Sequence, residues 1–304
     1  MTAAASEIVL PGLVRRRLSA AAAELLPGGG EVFSTPLGEP ALAGSDSISW
    51  RVFKNPIALF IGGVAAVILE FAEPGVRSGV WDHSSFRRDP GGRLRRTGLA
   101  AMITVYAARS RAEAMIEGVR RRHDRVEGYT PGGAAYRAND PLLLDWVQAT
   151  AGFGFAQAYS AYARPLSDAA LSRLYAEGAP AARLYGAVGA PTDVAGMSAL
   201  FAAMRPRMEA SPFVFEFLDI MATADLLPGP LRPLQGLLVR AAVEIVPAEV
   251  RDILGLDRRW DLKPWARALV RTLGGLADRI VVEDGPPALA CRRLGLPANH
   301  LYRP

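Results

Sequence analysis

Histidine is scarce in this chain, and this narrows the search for residues that do chemistry. The 304 residues include three histidines, His83, His123 and His300. Histidine is the side chain that most often binds metals or transfers protons near neutral pH. A three-histidine metal site is therefore excluded unless His300 folds back toward the other two.

His123 lies on the apolar stripe of a helix predicted over 112–127. The other members of that stripe recur at helical spacing and are Ala112, Met115, Ile116, Val119 and Val126. The imidazole is therefore predicted to point into the core. Two interpretations stay open: a core histidine bonded to a neighbour, or a ligand to a metal or haem iron, which needs a neutral imidazole in an apolar wall.

A second candidate group lies at the start of a helix predicted over 93–109. Arg93, Arg96 and Thr97 have the spacing of one helical face. Positive charge is unfavourable at a helix N-terminus, so this cluster indicates an anionic partner. Haem propionates, a substrate carboxylate and bound dioxygen species are the candidates. The alternative is a solvated basic helix start.

Three further residues are weaker candidates. In the segment Asp82-His83-Ser84, the aspartate can orient His83 only if the backbone turns, and a polar helix end is the alternative. Tyr136 and Trp146 are amphipathic aromatics that suit a pocket lining, although core packing would use them equally well.

The composition predicts one large all-α domain. Half of the residues are hydrophobic, alanine and leucine dominate, and β-branched runs are sparse, which favours helices. The 30 glycines and 23 prolines fall mostly between apolar stretches and mark helix ends. The pattern predicts helices at 1–30, 57–72, 93–109, 112–127, 142–163, 231–246, 248–254, 263–281 and 287–294; helix starts at 167, 192 and 211; and loops at 31–55 and 128–133.

Several functional classes are disfavoured. The sequence lacks HExxH, GxSxG, P-loop and dinucleotide-binding patterns. Its net charge of +5 comes without a nucleic-acid-binding signature, so no nucleic-acid partner is expected. The single cysteine, Cys291, excludes an internal disulfide and fits a cytoplasmic location.

The most apolar segment is predicted to be a buried helix. Residues 57–69 form an uncharged run between Lys54 and Glu70, and that run is shorter than the ~20 residues of a spanning helix. The first 30 residues place their arginines after apolar positions, unlike a signal peptide. We therefore expect neither a stable membrane span nor a cleaved leader.

The ordered motifs resemble one oxygenase family. Over about 55–260 the order is an apolar helix with Gly62-Gly63, a D-H-S-x-F-R-x-D-P segment, R-L-x-R-T, H-x-x-V-x-G, Y-x-A-N-D-P-x-L-L-x-W-V and P-x-x-V-R-x-x-L-G-L. This set is similar to the family of latex-clearing protein (rubber oxygenase) and the ER-bound oxygenase of the mycophenolic acid pathway.

The resemblance implies an all-α fold that binds haem b. It implies that His123 is the proximal iron ligand, with His83 as the second choice, and that Arg93, Arg96 and Thr97 line the distal side. Arg96 stands where latex-clearing protein has lysine. Other positions depart from the pattern of many members: Glu127, Gln148, Ala65 and Ala66.

These observations predict a haem-dependent oxidoreductase that acts on a hydrophobic small molecule with dioxygen or peroxide. Oxidative cleavage of an olefin is the reaction that the resemblance implies. One domain over 1–304 is expected, with an N-terminal helix and arm (1–54), a haem-binding core (55–260) and C-terminal helices (261–304). The alternatives are a non-catalytic protein that binds haem or a hydrophobic ligand, and a haem-free helical interaction protein.

Overall fold

Capping side chains and prolines set where the helices begin. A computed structural model describes residues 30–227 and 232–303, which form an all-α domain with one short hairpin. Asn55, Glu73, Asp89 and Asp140 each accept a backbone N–H from the first helical turn, and a proline follows each of them. This pairing satisfies free donors and presets the helical φ angle.

The helices have the following bounds: α1 (Glu31–Ser34), α2 (Ile48–Phe53), α3 (Pro56–Ala72), α4 (Pro74–His83), α5 (Pro90–Tyr106), α6 (Arg109–His123), α7 (Pro141–Tyr162), α8 (Asp168–Tyr185), α9 (Val194–Met204), α10 (Pro212–Thr223), α11 (Arg232–Ile245), α12 (Ala248–Leu254), α13 (Pro264–Ala277) and α14 (Pro286–Arg293). Short 3₁₀ turns cover Arg205–Arg207, Arg258–Trp260 and His300–Tyr302.

Helix α3 is the central helix of the main core. It packs along α7 and also contacts α11, α10 and α13. Gly62 permits the close approach to α7, because a Cβ atom there would lie 2.8 Å from the Cα of Phe155 and 2.9 Å from the carbonyl oxygen of Gly154. The prediction of a buried helix over 57–72 is confirmed.

A small antiparallel hairpin replaces the loop predicted at 128–133. Strand β1 (Glu127–Tyr129) pairs with β2 (Ala135–Arg137), and Gly128 lies opposite Tyr136. Gly128 leaves room for the ring, because a Cβ atom there would lie 2.9 Å from the Tyr136 hydroxyl. The strands have three residues each, too few for an alternating apolar pattern that a sequence would reveal.

The arm predicted at 31–55 is partly helical. Ser47 caps α2 by accepting the backbone N–H of Trp50 at 3.1 Å. Phe33 and Trp50 are fully buried, which holds α1 and α2 in place. They belong to a second, smaller core, which joins this segment to α5 and to the C-terminal residues. The helix predicted over 1–30 lies almost wholly outside the described residues.

Among the described residues, none of the helices taken singly combines the length and the hydropathy that crossing a membrane requires. Helices α3 and α4 reach that threshold only as a pair, and they meet at an angle of 112°.

Candidate active site

Two pairs of helices enclose the candidate active site. Helices α3 and α7 pack along each other, while α5 packs on α6. The other main neighbours of the second pair are α1, α2, α14 and α8, while Leu94 of α5 packs against the main core that contains α3 and α7. We call the region between the two pairs, where Arg93 acts on Glu70, the cleft. Apolar side chains on its walls are only half-buried, including Val67, Val147 and Leu94.

Glu70 is a carboxylate in the wall that α3 contributes. Burial raises its pKa to about 7, against the opposing effects of the Arg93 charge and a hydrogen bond with Thr150. Thr150 is itself fully buried and donates to the carbonyl oxygen of Val147 at 2.9 Å. Glu70 keeps partial solvent access although it is deeply placed. It can therefore exchange a proton near neutral pH.

Arg93 faces Glu70 from the start of α5. Its guanidinium group donates to the Thr97 hydroxyl, and that hydroxyl donates to the Arg93 carbonyl oxygen at 2.9 Å. Burial lowers the pKa of Arg93, and the charge of Glu70 raises it. Thr97 thus restrains a half-buried cation whose charge acts on Glu70.

His123 is the last residue of α6 and is half-buried. Burial lowers its pKa, and the charges of Arg122 and Arg93 lower it further, while Asn139 and Asp124 act in the opposite direction. Burial and these arginine charges therefore favour the neutral imidazole. Arg93 influences both His123 and Glu70, so these three side chains belong to one electrostatic cluster.

Helix α6 occupies Arg109–His123 rather than the predicted 112–127. The chain turns after His123, since the backbone N–H of Val126 donates to the His123 carbonyl oxygen at 2.9 Å. The backbone N–H of Ala138 then donates to the Val126 carbonyl oxygen at 2.9 Å. His123 thus lies where the helix meets the hairpin, and Val126 lies beyond the helix.

The structure places Arg96 at the surface. Its side chain is 59% exposed and lies 3.4 Å from an Asp89 carboxylate oxygen. It also donates to the Ser85 hydroxyl at 2.6 Å. The positive charge at this helix start predicts an external anion. Asp89 of the protein itself partly balances that charge.

His83 and Tyr136 form a separate pair. The His83 Nε2 atom lies 3.1 Å from the Tyr136 hydroxyl. His83 is exposed, whereas Tyr136 is buried and its pKa is raised by burial and by the charge of Asp82. Of the two histidines proposed as ligands, His123 is thus the more enclosed.

The other candidates have positions of their own. Trp146 is fully buried and makes an edge-to-face contact with Phe201 of α9, with ring centroids 4.9 Å apart. His300 lies 3.2 Å from an Asp46 carboxylate oxygen near the C-terminus. His300 is thus paired with the 31–55 segment.

A cavity of about 510 Å³ lies away from this cluster, between α7, α9 and α12. Its walls are mainly apolar and include Phe153, Met197 and Val250. Its charged members Arg205 and Glu249 form an ion pair at 3.0 Å. We place the chemistry in the cleft, because Glu70, Arg93 and His123 have shifted pKa values and Arg93 acts on both of the others.

Comparison with known families decides the relationship. The family model described as "ER-bound oxygenase mpaB/B'/Rubber oxygenase, catalytic domain" matches residues 50–279. The chain belongs to this family. The predicted resemblance to the rubber oxygenase family is confirmed, and at this level the protein is an oxygenase catalytic domain. The match includes Glu70, Arg93 and His123. No curated protein and no solved structure matches the chain.

Sequence reasoning missed two polar residues of this site. In the sequence, Glu70 only marks the end of an apolar run. Its carboxylate lies on the same helical stripe as Val67, and this spacing could have predicted that Glu70 faces inward. The run Asn139-Asp140-Pro141 predicts a helix start with capping side chains, and the structure confirms the start with Asp140 as the cap. The side chain of Asn139 instead reaches the end of α6.

Proposed function

We propose that the protein is a haem b-dependent oxygenase that acts on a hydrophobic small molecule, with His123 as the iron ligand. The observation that carries this proposal is a neutral, half-buried imidazole in the same electrostatic cluster as Arg93 and Glu70. Family membership adds an oxygenase activity. Together these features favour a redox cofactor held by one protein nitrogen.

The donor chemistry of the site fits a haem. A haem iron needs a neutral imidazole, and both burial and neighbouring arginines keep His123 in that form. The half-buried apolar side chains of the cleft, which include Val67 and Val147, would contact the apolar macrocycle. Arg93 is the half-buried cation available to the propionates or to other anionic groups, whereas Arg96 is paired with Asp89 at the surface.

The protein's own residues would then divide the work. Haem, when bound, supplies the activation of dioxygen or peroxide. Glu70 holds or releases a proton at its carboxyl oxygens near neutral pH, as expected for a general acid or base. Arg93 presents a fixed positive charge, and Thr97 restrains its guanidinium group. The apolar walls admit an olefinic substrate and limit water.

Turnover with a short isoprenoid olefin tests this function. Oxidative cleavage of one C=C bond consumes one dioxygen molecule and yields two carbonyl groups. We expect haem-loaded protein to consume dioxygen and to place one ¹⁸O atom from ¹⁸O₂ in each carbonyl, as mass spectrometry can show. Glu70→Gln should lower the rate about 100-fold or more, the usual effect of losing a general acid or base.

Glu113→Gln is the matched control, because Glu113 is an exposed carboxylate on α6, and it should keep full turnover. The contrary outcome is a protein that binds haem and still consumes neither dioxygen in the presence of olefins nor peroxide in the presence of other apolar substrates. That result would show that it is a non-catalytic haem protein.

A further inference from the structure

The side chain of Asn139 bridges the hairpin and the end of α6. Its amide nitrogen donates to the Asp124 carboxylate at 2.6 Å and to the Arg120 carbonyl oxygen at 3.3 Å. Both acceptors lie at the C-terminal end of α6, next to His123. Because the two amide hydrogens are already engaged, the orientation of the amide is determined.

This orientation leaves the Asn139 carbonyl oxygen as a free acceptor beside the end of α6. The Oδ1 atom of Asn139 and the Nδ1 atom of His123 are both buried, and neither has a hydrogen-bond partner among the described residues. The Asn139 side chain also lies close enough to the imidazole to raise its pKa, as an acceptor does. An amide oxygen can only accept, so a ring nitrogen that bonds to it must carry the proton.

The hairpin fixes Asn139 in this place. The backbone N–H of Ala138 donates to the Val126 carbonyl oxygen at 2.9 Å, and that of Asp140 donates to the Arg137 carbonyl oxygen at 3.0 Å. The residues on both sides of Asn139 therefore make backbone hydrogen bonds. Asn139 lies three residues after Tyr136, which pairs with Gly128 in the hairpin. The hairpin thus supplies a rigid support behind the histidine.

We propose that Asn139 is a positioning residue that fixes His123 as the Nδ1–H tautomer and leaves Nε2 free to bind iron. This inference rests on the proposed function for the iron ligation, but the tautomer itself exists without haem. Hydrogen bonds from the outer nitrogen of a metal-bound histidine orient the ring and tune the basicity of the ligand.

Imidazole ¹⁵N chemical shifts of the haem-free protein test the tautomer directly. The spectrum is simple because the chain has three histidines, and His83→Ala and His300→Ala identify the other two. We expect wild-type His123 to show a protonated Nδ1 and an unprotonated Nε2. Asn139→Ala should shift His123 toward the Nε2–H form that free imidazole prefers.

A reciprocal exchange of two side chains provides the conservative variant. In Asp124→Asn combined with Asn139→Asp, the new amide on α6 donates to the new carboxylate beside the hairpin. That carboxylate accepts from His123 as a stronger acceptor, and the net charge is unchanged. The double variant should retain the Nδ1–H form. With haem bound, it should lower the reduction potential relative to wild type, whereas Asn139→Ala should raise it and weaken haem affinity about 10-fold.

Different results would overturn the role of Asn139 and the proposed haem-dependent function. An Nε2–H tautomer in the wild type, or an unchanged spectrum in Asn139→Ala, would overturn the role of Asn139 whether or not haem binds. A protein that shows the expected tautomer and yet takes up no haem would leave the positioning of His123 intact and would overturn the proposed function.

Discussion

At the scale of single residues, Glu70 links the candidate site to stability. Its pKa is about 7 in the folded chain against an ordinary value of 4.5, so the folded state binds more protons than the unfolded state between these values. Stability from this group is therefore fully present below pH 4.5 and is lost as the pH rises through 7. Burial is the main cause of this shift.

Glu70→Gln should remove this pH dependence. Glutamine stays neutral at all pH values, so the variant should match the wild type near pH 4 and exceed its stability at pH 8. The difference should be on the order of 3 kcal/mol, because each unit of pKa shift corresponds to about 1.4 kcal/mol. Urea unfolding at the two pH values measures it, and Glu113→Gln should follow the wild type. An equal difference at both pH values would refute the shift.

Residue types alone could predict part of the site. His123 stands out because an imidazole interrupts an apolar stripe, and Arg93 because positive charge is unfavourable at a helix start. The roles of Thr150 and Asn139 could not be predicted, since both depend on contacts between elements far apart in the chain. The sequence also could not show that Arg93 turns inward and Arg96 does not. That difference arises because Glu70 acts on Arg93 and Asp89 pairs with Arg96.

At the scale of elements, the crossing of α3 and α7 positions Glu70 and Thr150. The predicted bounds of both helices lie within one residue of the observed ones. This is because a capping side chain precedes each helix, a proline begins it, and its apolar stretch is long. The hairpin and the short helices α1 and α2 were missed. Their stability comes from tertiary contacts such as the burial of Trp50, which local sequence does not encode.

Gly62→Ala should loosen this crossing. A Cβ atom at Gly62 would lie 2.8 Å from the Phe155 backbone, and overpacking of this kind costs about 1–3 kcal/mol. Gly63→Ala is the matched control, because its Cβ atom would meet only the far end of the Phe155 ring at 3.9 Å. The control should be neutral or gain up to about 1 kcal/mol of helix propensity. Equal unfolding midpoints for the two variants would contradict this packing.

At the scale of the whole molecule, the second core joins both ends of the described chain. Arg293 is 2% exposed. It donates to the carbonyl oxygens of Phe33 and Tyr106 at 2.8 Å and to that of Glu39 at 2.9 Å. These contacts connect α14 to the segment before α2 and to the end of α5. The helix that carries Arg93 is therefore supported by residues outside the matched 50–279.

Arg293→Ala should destabilise the protein strongly. The substitution leaves three backbone carbonyl groups without their donor, and each buried unsatisfied group costs about 1–3 kcal/mol. We expect a loss of about 3 kcal/mol or more in thermal or urea unfolding. Arg292→Ala changes the neighbouring, more exposed arginine, which contacts Glu283 and Asp284, and it should cost less than about 1 kcal/mol. Similar losses in both variants would argue against the role of Arg293.

The absorption spectrum of purified, haem-supplemented protein shows whether His123 holds a haem. We predict a Soret band with one haem per chain in the wild type and in His83→Ala. His123→Ala, shown by circular dichroism to be folded, should lose the haem or change its spectrum. A wild type without a Soret band would show that the protein holds no haem. A His123→Ala variant with full haem and an unchanged spectrum would show that His123 is not the iron ligand.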